Sequence, residues 1–391
     1  MAVKENSEIK VGIEKKFWEP SVTSQFDVCC IPFHMDTYRG CVYGCKYCFA
    51  RDFIQFARRN KGQSQSYLVS NDVKRFERWI DRALSADINY KKGQIVAFKE
   101  RMPLKIGATA DPFPPCEKEE RITYGVLKAL QKIDYPVQIS TKNPEVFLEY
   151  AKEFIGSNLA FNVSISFSDD KDARAIECGA ISTTRRFEAI RKITELGIPV
   201  FVRVQPAFYP QIMDSAEALV KQIKDSGSWG FTSEMLKLRV VMPKNEKKIY
   251  SEIGEYFGFD ILKYYKEEGQ ISGGDRECSD TVKHEVFDLF NALSKKYGLK
   301  YYNADNLIDK TAGCGSQCCG TAVLHDFKVW RGNERTMCFG DCQDNGTVEF
   351  QKCLCNFTRS QSNVNKTIAE VAAFKIEKKN KSKTPEKSIF E

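Results

Sequence analysis

Short apolar runs alternate with amphipathic stretches along most of the chain. Residues 71–84 repeat Val73, Phe76, Trp79, Ile80 and Leu84 at helical spacing. Residues 118–133 do the same with Ile122, Val126, Leu127, Leu130 and Ile133, and residues 183–196 with Phe187, Ile190 and Ile193, stopped at Gly197. Asn143 as cap and Pro144 as first residue predict a helix that turns Phe147, Leu148, Ala151 and Phe154 inward. Ser215 predicts the cap of another, through Leu219, Val220 and Ile223, ending near Gly227. Apolar runs at 29–35, 104–110, 137–141, 159–167, 199–204 and 235–241 predict six strands between the helices. Residues 51–59 also read as helical.

Strand and helix in alternation predict a parallel sheet covered by helices. The expected fold class is α/β: a partial, TIM-like (β/α)6 barrel over residues 29–243, with chemistry at the C-terminal strand ends. Residues 1–28 read as a polar extension, and 244–310 as a closing segment. The latter has helices at 250–265 and 281–297, a polar loop at 269–278 and a strand at 299–303. Residues 311–360 form a cysteine-rich segment, and 361–391 a basic tail with one helix at 367–374.

Hydrophobic residues at 42% and charged residues at 28% give an ordinary soluble balance. No apolar run is long enough to span a bilayer, and the first residues (Lys4, Glu5, Glu8, Lys10) are polar. Fifteen cysteines in that setting argue for metal binding in the reducing cytoplasm rather than for disulfides. The net charge of +7 is compatible with a nucleic acid partner, but part of it lies in the tail lysines Lys375, Lys378, Lys379, Lys381, Lys383 and Lys387. Such a run is more often a solvated end than a phosphate-binding one.

The chemistry concentrates in Tyr38-Arg39-Gly40-Cys41-Val42-Tyr43-Gly44-Cys45-Lys46-Tyr47-Cys48. Cys41, Cys45 and Cys48 can hold three irons of a 4Fe–4S cluster and leave the fourth open for a small molecule, while Gly40 and Gly44 let the loop turn. The competing readings are a zinc knuckle and three free thiols. Zinc prefers four ligands in paired sets, and no histidine lies just downstream of Cys48.

This spacing, with Tyr47 directly before the last cysteine, resembles the radical SAM superfamily. There the open iron binds S-adenosylmethionine (SAM), and one electron cleaves it to a 5′-deoxyadenosyl radical that abstracts hydrogen. Three further elements narrow the resemblance, over residues 29–243, to the spore photoproduct lyase-like branch. They are Gly107-Ala108-Thr109-Ala110-Asp111-Pro112, Ser140-Thr141-Lys142-Asn143 and Arg203-Val204-Gln205-Pro206. The resemblance implies that Tyr47 meets the SAM adenine and that the Lys142 ammonium pairs with the SAM carboxylate. Asp111 would bond a ribose or cap the next helix. Ser164 and Ser166 share one strand face and would hold ribose hydroxyls or methionine, or be satisfied core hydroxyls. Arg203 and Gln205 share another, and a lumenal arginine needs a carboxylate or phosphate.

Two departures point away from thymine-dimer repair. Ala108 and Ala110 stand where the lyase has its hydrogen-donating cysteine, with Cys116 a few residues on, and the fifth strand lacks the acidic residue of Arg-x-Asp-Pro. Cys29 and Cys30 read as buried strand residues rather than ligands, and His34 as structural.

The C-terminal cysteines Cys314, Cys318, Cys319, Cys338, Cys342, Cys353 and Cys355 suit a second iron–sulfur cluster, with structural zinc as the alternative and free thiols last. The expected function is therefore a cytoplasmic radical SAM enzyme with flavodoxin or ferredoxin as electron donor, acting on a nucleobase in DNA or RNA. The alternatives are modification of a peptide or small metabolite anchored at an auxiliary cluster, and a non-catalytic, metal-dependent nucleic-acid-binding protein.

Overall fold

The structure, a computed structural model, describes residues 13–22, 29–51, 68–86, 92–272, 274–305 and 319–330. Seven strands run parallel and lie side by side in chain order: β1 Phe33–Met35, β2 Leu104–Ile106, β3 Val137–Thr141, β4 Leu159–Ser164, β5 Val200–Ala207, β6 Gly230–Met235 and β7 Lys300–Asn303. Ser21–Val22 adds an antiparallel edge beside β1, and β7 does not pair with it, so the barrel stays open. The expected six-strand barrel thus gains a seventh parallel strand from the predicted closing segment.

The strands are not uniformly apolar. On β3 to β5, Ile139, Phe161, Val163, Val202 and Val204 are fully buried and alternate with Gln138, Ser140, Asn162, Ser164 and Arg203. Registers Ser140↔Asn162, Ser164↔Arg203 and Arg203↔Thr232 put the polar set on one face. Helices α1 Val73–Ser85, α2 Gly93–Lys99, α3 Ile122–Gln131, α4 Pro144–Leu148, α5 Asp170–Ile176, α6 Thr183–Glu195 and α7 Gln211–Asp225 lie between successive strands. Each side chain they bury, such as Phe76, Val126, Ile190 and Leu219, is worth roughly 1.5–3 kcal/mol. The polar face is left to line the lumen.

Several predicted boundaries shift for local reasons. The second strand ends at Ile106 because Gly107 turns at φ +88, packed so tightly that a Cβ would overlap the Ser140 carbonyl. Predicted helix 118–133 breaks at Arg121 (φ +49), where the buried Glu117 carboxylate accepts from the backbone of Ile122, Thr123 and Tyr124. Asn143 does not cap α4; its Nδ2 donates to the Phe113 carbonyl at 3.1 Å. Ser215 lies inside α7, bonded back to the Gln211 carbonyl. The sixth strand is Gly230–Met235, so the predicted run contributes only Met235 to it, while Leu238–Arg239 pairs in a separate small sheet. Gly258 (φ +66) splits the predicted 250–265 helix into α8 Lys244–Phe257 and α9 Ile261–Glu267. The last helix, α10 Asp280–Tyr297, falls where expected.

Candidate functional site

Asp36, just past β1, pins two strand ends together by accepting from the backbone of Ala108 (2.8 Å) and Thr109 (3.1 Å) beyond β2. Tyr38–Arg39 then pairs antiparallel with Leu68–Asn71 and leads into the cysteine loop. Gly40 (φ +95) and Gly44 (φ +59) take the left-handed conformation that the turns demand. Within the loop, Cys48 N bonds Cys45 O at 3.1 Å, and the Arg51 guanidinium holds the same carbonyl at 3.2 Å. From behind, Lys46 N bonds Ile176 O at 2.9 Å and Gly179 N bonds Tyr43 O at 2.8 Å. Gly179 is required here, since a Cβ would sit 2.9 Å from the Tyr43 carbonyl oxygen.

None of Cys41, Cys45 and Cys48 is in a disulfide. Burial pushes Cys41 up to about 11, and Cys45 is raised further. Among the described residues, no three histidine, cysteine or carboxylate side chains converge on a single-ion site. Three thiols carried by one short loop are the kind of donor set whose members can each take a different iron of a cluster.

Beside the loop lies a buried charge network. Glu177, at the end of α5, has no exposed side-chain surface and lies 2.6 Å from Arg186 and 3.7 Å from Lys142. It also accepts from the Tyr47 hydroxyl. Arg186 Nη1 donates to the Ser164 carbonyl at 3.0 Å, and Glu177 Oε2 makes no aligned hydrogen bond, so the Arg186–Glu177 contact is chiefly Coulombic. Burial opposes the Glu177 charge, but Arg186 and then Lys142 outweigh it and hold the carboxyl below its ordinary range. Lys142 Nζ stands 5.5 Å from the Tyr47 ring centre, and Tyr47 OH is 3.4 Å from Ser166 Oγ. The structure therefore groups Tyr47, Lys142 and Ser166 beside the cysteines. Neither Glu177 nor Arg186 carries any sequence signal, because their pairing depends on how α5 and α6 dock.

Asp111 is built into the strand ends. Its carboxylate accepts from Thr141 Oγ1 (2.7 Å), Lys142 N (2.6 Å) and Phe113 N (3.0 Å), which fixes the backbone that carries Lys142. Those three bonds tie the carboxylate both to the turn after Asp111 and to the end of β3.

Deeper in the lumen, Arg203 donates to Ser140 Oγ and Gln205 Oε1, both at 3.0 Å, and meets no carboxylate among the described residues. His34 Nε2 lies 3.4 Å from Ser21 Oγ at the edge strand. Cys116 sits against Tyr38 and Leu68 beside Glu117, its thiol pushed up to about 12. Cys319 is buried under the opposite end of the barrel. Cys314, Cys318, Cys338, Cys342, Cys353, Cys355 and the basic tail lie outside the described residues, as does most of the predicted 51–59 helix. No helix of the described residues is long and apolar enough to cross a membrane.

Residues 35–223 match the family model of the radical SAM superfamily. An uncharacterized Mycobacterium tuberculosis protein is 27% identical over 219 residues, covering 54% of this chain and 60% of its own length. The chain thus spans about three fifths of that relative's length. An uncharacterized Methanocaldococcus jannaschii protein is 27% identical over 230 residues, covering 58% of this chain and 78% of that protein. Among solved structures, a point mutant of spore photoproduct lyase superposes with a TM-score of 0.52 at 14% identity, over 75% of this chain and 81% of that one. That likeness is one of fold.

Proposed function

Residues 35–223 match the radical SAM superfamily, and from this premise we propose that the chain is an enzyme that cleaves SAM reductively at a 4Fe–4S cluster held by Cys41, Cys45 and Cys48. When bound and reduced, such a cluster with SAM supplies a 5′-deoxyadenosyl radical for hydrogen abstraction. The observation that carries the reading is the loop itself. Its three thiols, none in a disulfide, sit in a loop backed by Ile176 and Gly179 and flanked by the positioned ammonium of Lys142.

The chain's own residues orient and exclude. Lys142, 15% exposed, is the cation for the SAM carboxylate. Asp111 fixes its backbone and Glu177 restrains its side chain until a ligand carboxylate arrives. Tyr47 presents its ring to the adenine, and Ser166 with Ser164 offers hydroxyls to ribose or methionine.

For the substrate, the first reading is a nucleobase in DNA or RNA. It draws on the lyase, a protein of like fold that binds dinucleoside spore photoproduct. The lumen adds a chemical requirement. Among the described residues, the Arg203 guanidinium is held by neutral oxygens of Ser140 and Gln205, which leaves N–H groups for an incoming oxyanion. A nucleotide phosphate meets that requirement. The carboxylate of a small metabolite or peptide meets it too, which keeps that alternative as the second reading.

The test is anaerobic reconstitution with iron and sulfide, reduction with dithionite, and chromatography for 5′-deoxyadenosine and methionine. Both are expected from the wild type and neither from the Cys41→Ala/Cys45→Ala/Cys48→Ala variant. An iron-loaded wild type that yields no more 5′-deoxyadenosine than that variant refutes the proposal.

A further inference from the structure

The cysteine loop is held from two sides. Residues 176–179 back the stretch from Tyr43 to Tyr47. On the other side runs the segment between β2 and α3, and it grips the loop on both flanks of Cys41. Before Cys41, the fully buried Tyr38 donates its hydroxyl to Glu117 Oε2 at 2.5 Å. After Cys41, the buried Tyr43 donates its hydroxyl to the Phe113 carbonyl at 2.5 Å. Thr37 and Thr123 add a hydroxyl pair at 2.7 Å, and Thr123 Oγ1 in turn donates to the Pro112 carbonyl at 2.5 Å.

Both anchors are themselves fixed. Glu117 is fully buried, and its carboxylate accepts from the backbone of Ile122 (2.9 Å), Thr123 (3.0 Å) and Tyr124 (2.8 Å) at the start of α3. These bonds and the N-terminal end of α3 hold its charge. A second phenol, Tyr150, lies 3.4 Å from its other oxygen, Oε1. The Phe113 carbonyl also accepts from Asn143 Nδ2 at 3.1 Å, and the Phe113 ring packs against Phe147 and Phe161. For packing alone, phenylalanine would serve in place of Tyr38 and Tyr43 without the cost of desolvating a hydroxyl.

We propose that Tyr38 and Tyr43 are positioning residues for Cys41, and that Glu117 acts on the loop through Tyr38. The proposal rests on the reading of the loop as a cluster site and sets Cys41 apart from Cys45 and Cys48. The place of Cys41 is set by two phenols bonded to the segment after β2, whereas residues 176–179 hold the rest of the loop. Losing either phenol bond frees the backbone beside Cys41 and leaves the bonds to Ile176 and Gly179 intact. Cys41 then moves without Cys48.

The test uses the full chain and compares Tyr38→Phe and Tyr43→Phe with Tyr150→Phe. The last removes a phenol from the same carboxylate, but from the side of α4 rather than from the loop. In the metal-free chain, iodoacetamide labelling is followed by mass spectrometry. Labelling of Cys41 should quicken about tenfold in Tyr38→Phe, the scale of one hydrogen bond to a charged group, and several-fold in Tyr43→Phe. Cys48 should keep its wild-type rate in all three variants, and Cys41 should keep it in Tyr150→Phe. Tyr43→Phe leaves Glu117 untouched and decides the matter alone if Tyr38→Phe fails to fold. The second readout is the electron paramagnetic resonance spectrum of the iron-loaded, dithionite-reduced chain, with and without SAM. Its g-values should shift in Tyr38→Phe and Tyr43→Phe and match the wild type in Tyr150→Phe. A wild type that takes up no iron refutes the cluster reading, and the labelling rates then still judge the positioning of Cys41. The proposal is overturned by wild-type labelling of Cys41 in Tyr43→Phe, by equal quickening of Cys41 and Cys48, by a Tyr150→Phe chain that labels like Tyr38→Phe, or by wild-type g-values in both loop variants.

Discussion

Replacing Glu177 by glutamine should destabilise the fold more than any other single change beside the cysteine loop. The substitution keeps the shape of the side chain and removes its charge. Arg186 and Glu177 both have 0% of their side chains exposed, so water cannot screen the loss. Lys142 is only 15% exposed and stays at the same place, so two cations would then share a site without an anion. Removing one partner of a buried pair typically costs ~3–5 kcal/mol, and the second cation argues for the upper part of that range. Each ~1.4 kcal/mol is tenfold in the folding equilibrium, so the effect exceeds a hundredfold.

The assay is urea unfolding of the metal-free chain, read as a shift in midpoint at unchanged slope. The double variant Glu177→Leu/Arg186→Met should recover part of the loss, because replacing both charges by apolar groups is often neutral. SAM binding, measured by equilibrium dialysis on the iron-loaded protein, should weaken in Glu177→Gln, since Tyr47 and Lys142 both lose a partner. A Glu177→Gln chain within about 1 kcal/mol of the wild type, with the same slope, would refute the reasoning.

Other substitutions probe the same scaffold. Gly179→Ala drives a Cβ into the Tyr43 backbone and should cost ~1–3 kcal/mol; iron analysis should show lower loading of the loop, and wild-type loading would contradict this. Asp111→Ala strands the Thr141 hydroxyl and the backbone N–H of Lys142, at ~1–3 kcal/mol for each buried group left unsatisfied, and a calorimetric melt should register it. Burial holds the His34 imidazole below its ordinary range, against a smaller opposing pull from Asp36. The unfolded chain therefore takes the proton more readily, and stability should fall as pH drops below about 6.5. His34→Asn should remove that part of the slope in unfolding titrations, and an unchanged slope would count against it.

Much of this protein was legible in its residue pattern. The spacing of Cys41, Cys45 and Cys48 with Gly40 and Gly44 is a local motif, and local motifs survive folding intact. Helices with one apolar stripe, α1, α6 and α10 among them, fall within two residues of their expected ends, because periodicity and caps are properties of the helix itself. The order of strands and helices was enough to predict a parallel sheet. Boundaries failed where a distant group decided them. Glu117 broke one helix by capping the next, and Gly107 ended a strand because the neighbouring strand left no room for a side chain.

What only the tertiary structure decided is which charges and thiols meet. Glu177 reaches Tyr47 across 130 residues, and Asn162 reaches Cys319 across 157. No periodicity encodes such pairings, since each depends on how whole helices and strands dock. The elements and the cysteine loop could be read in advance, because neighbouring residues set those. The lumen, with Arg203 bonded across it to Ser140, exists only once the described strands lie side by side and turn their polar faces to one another.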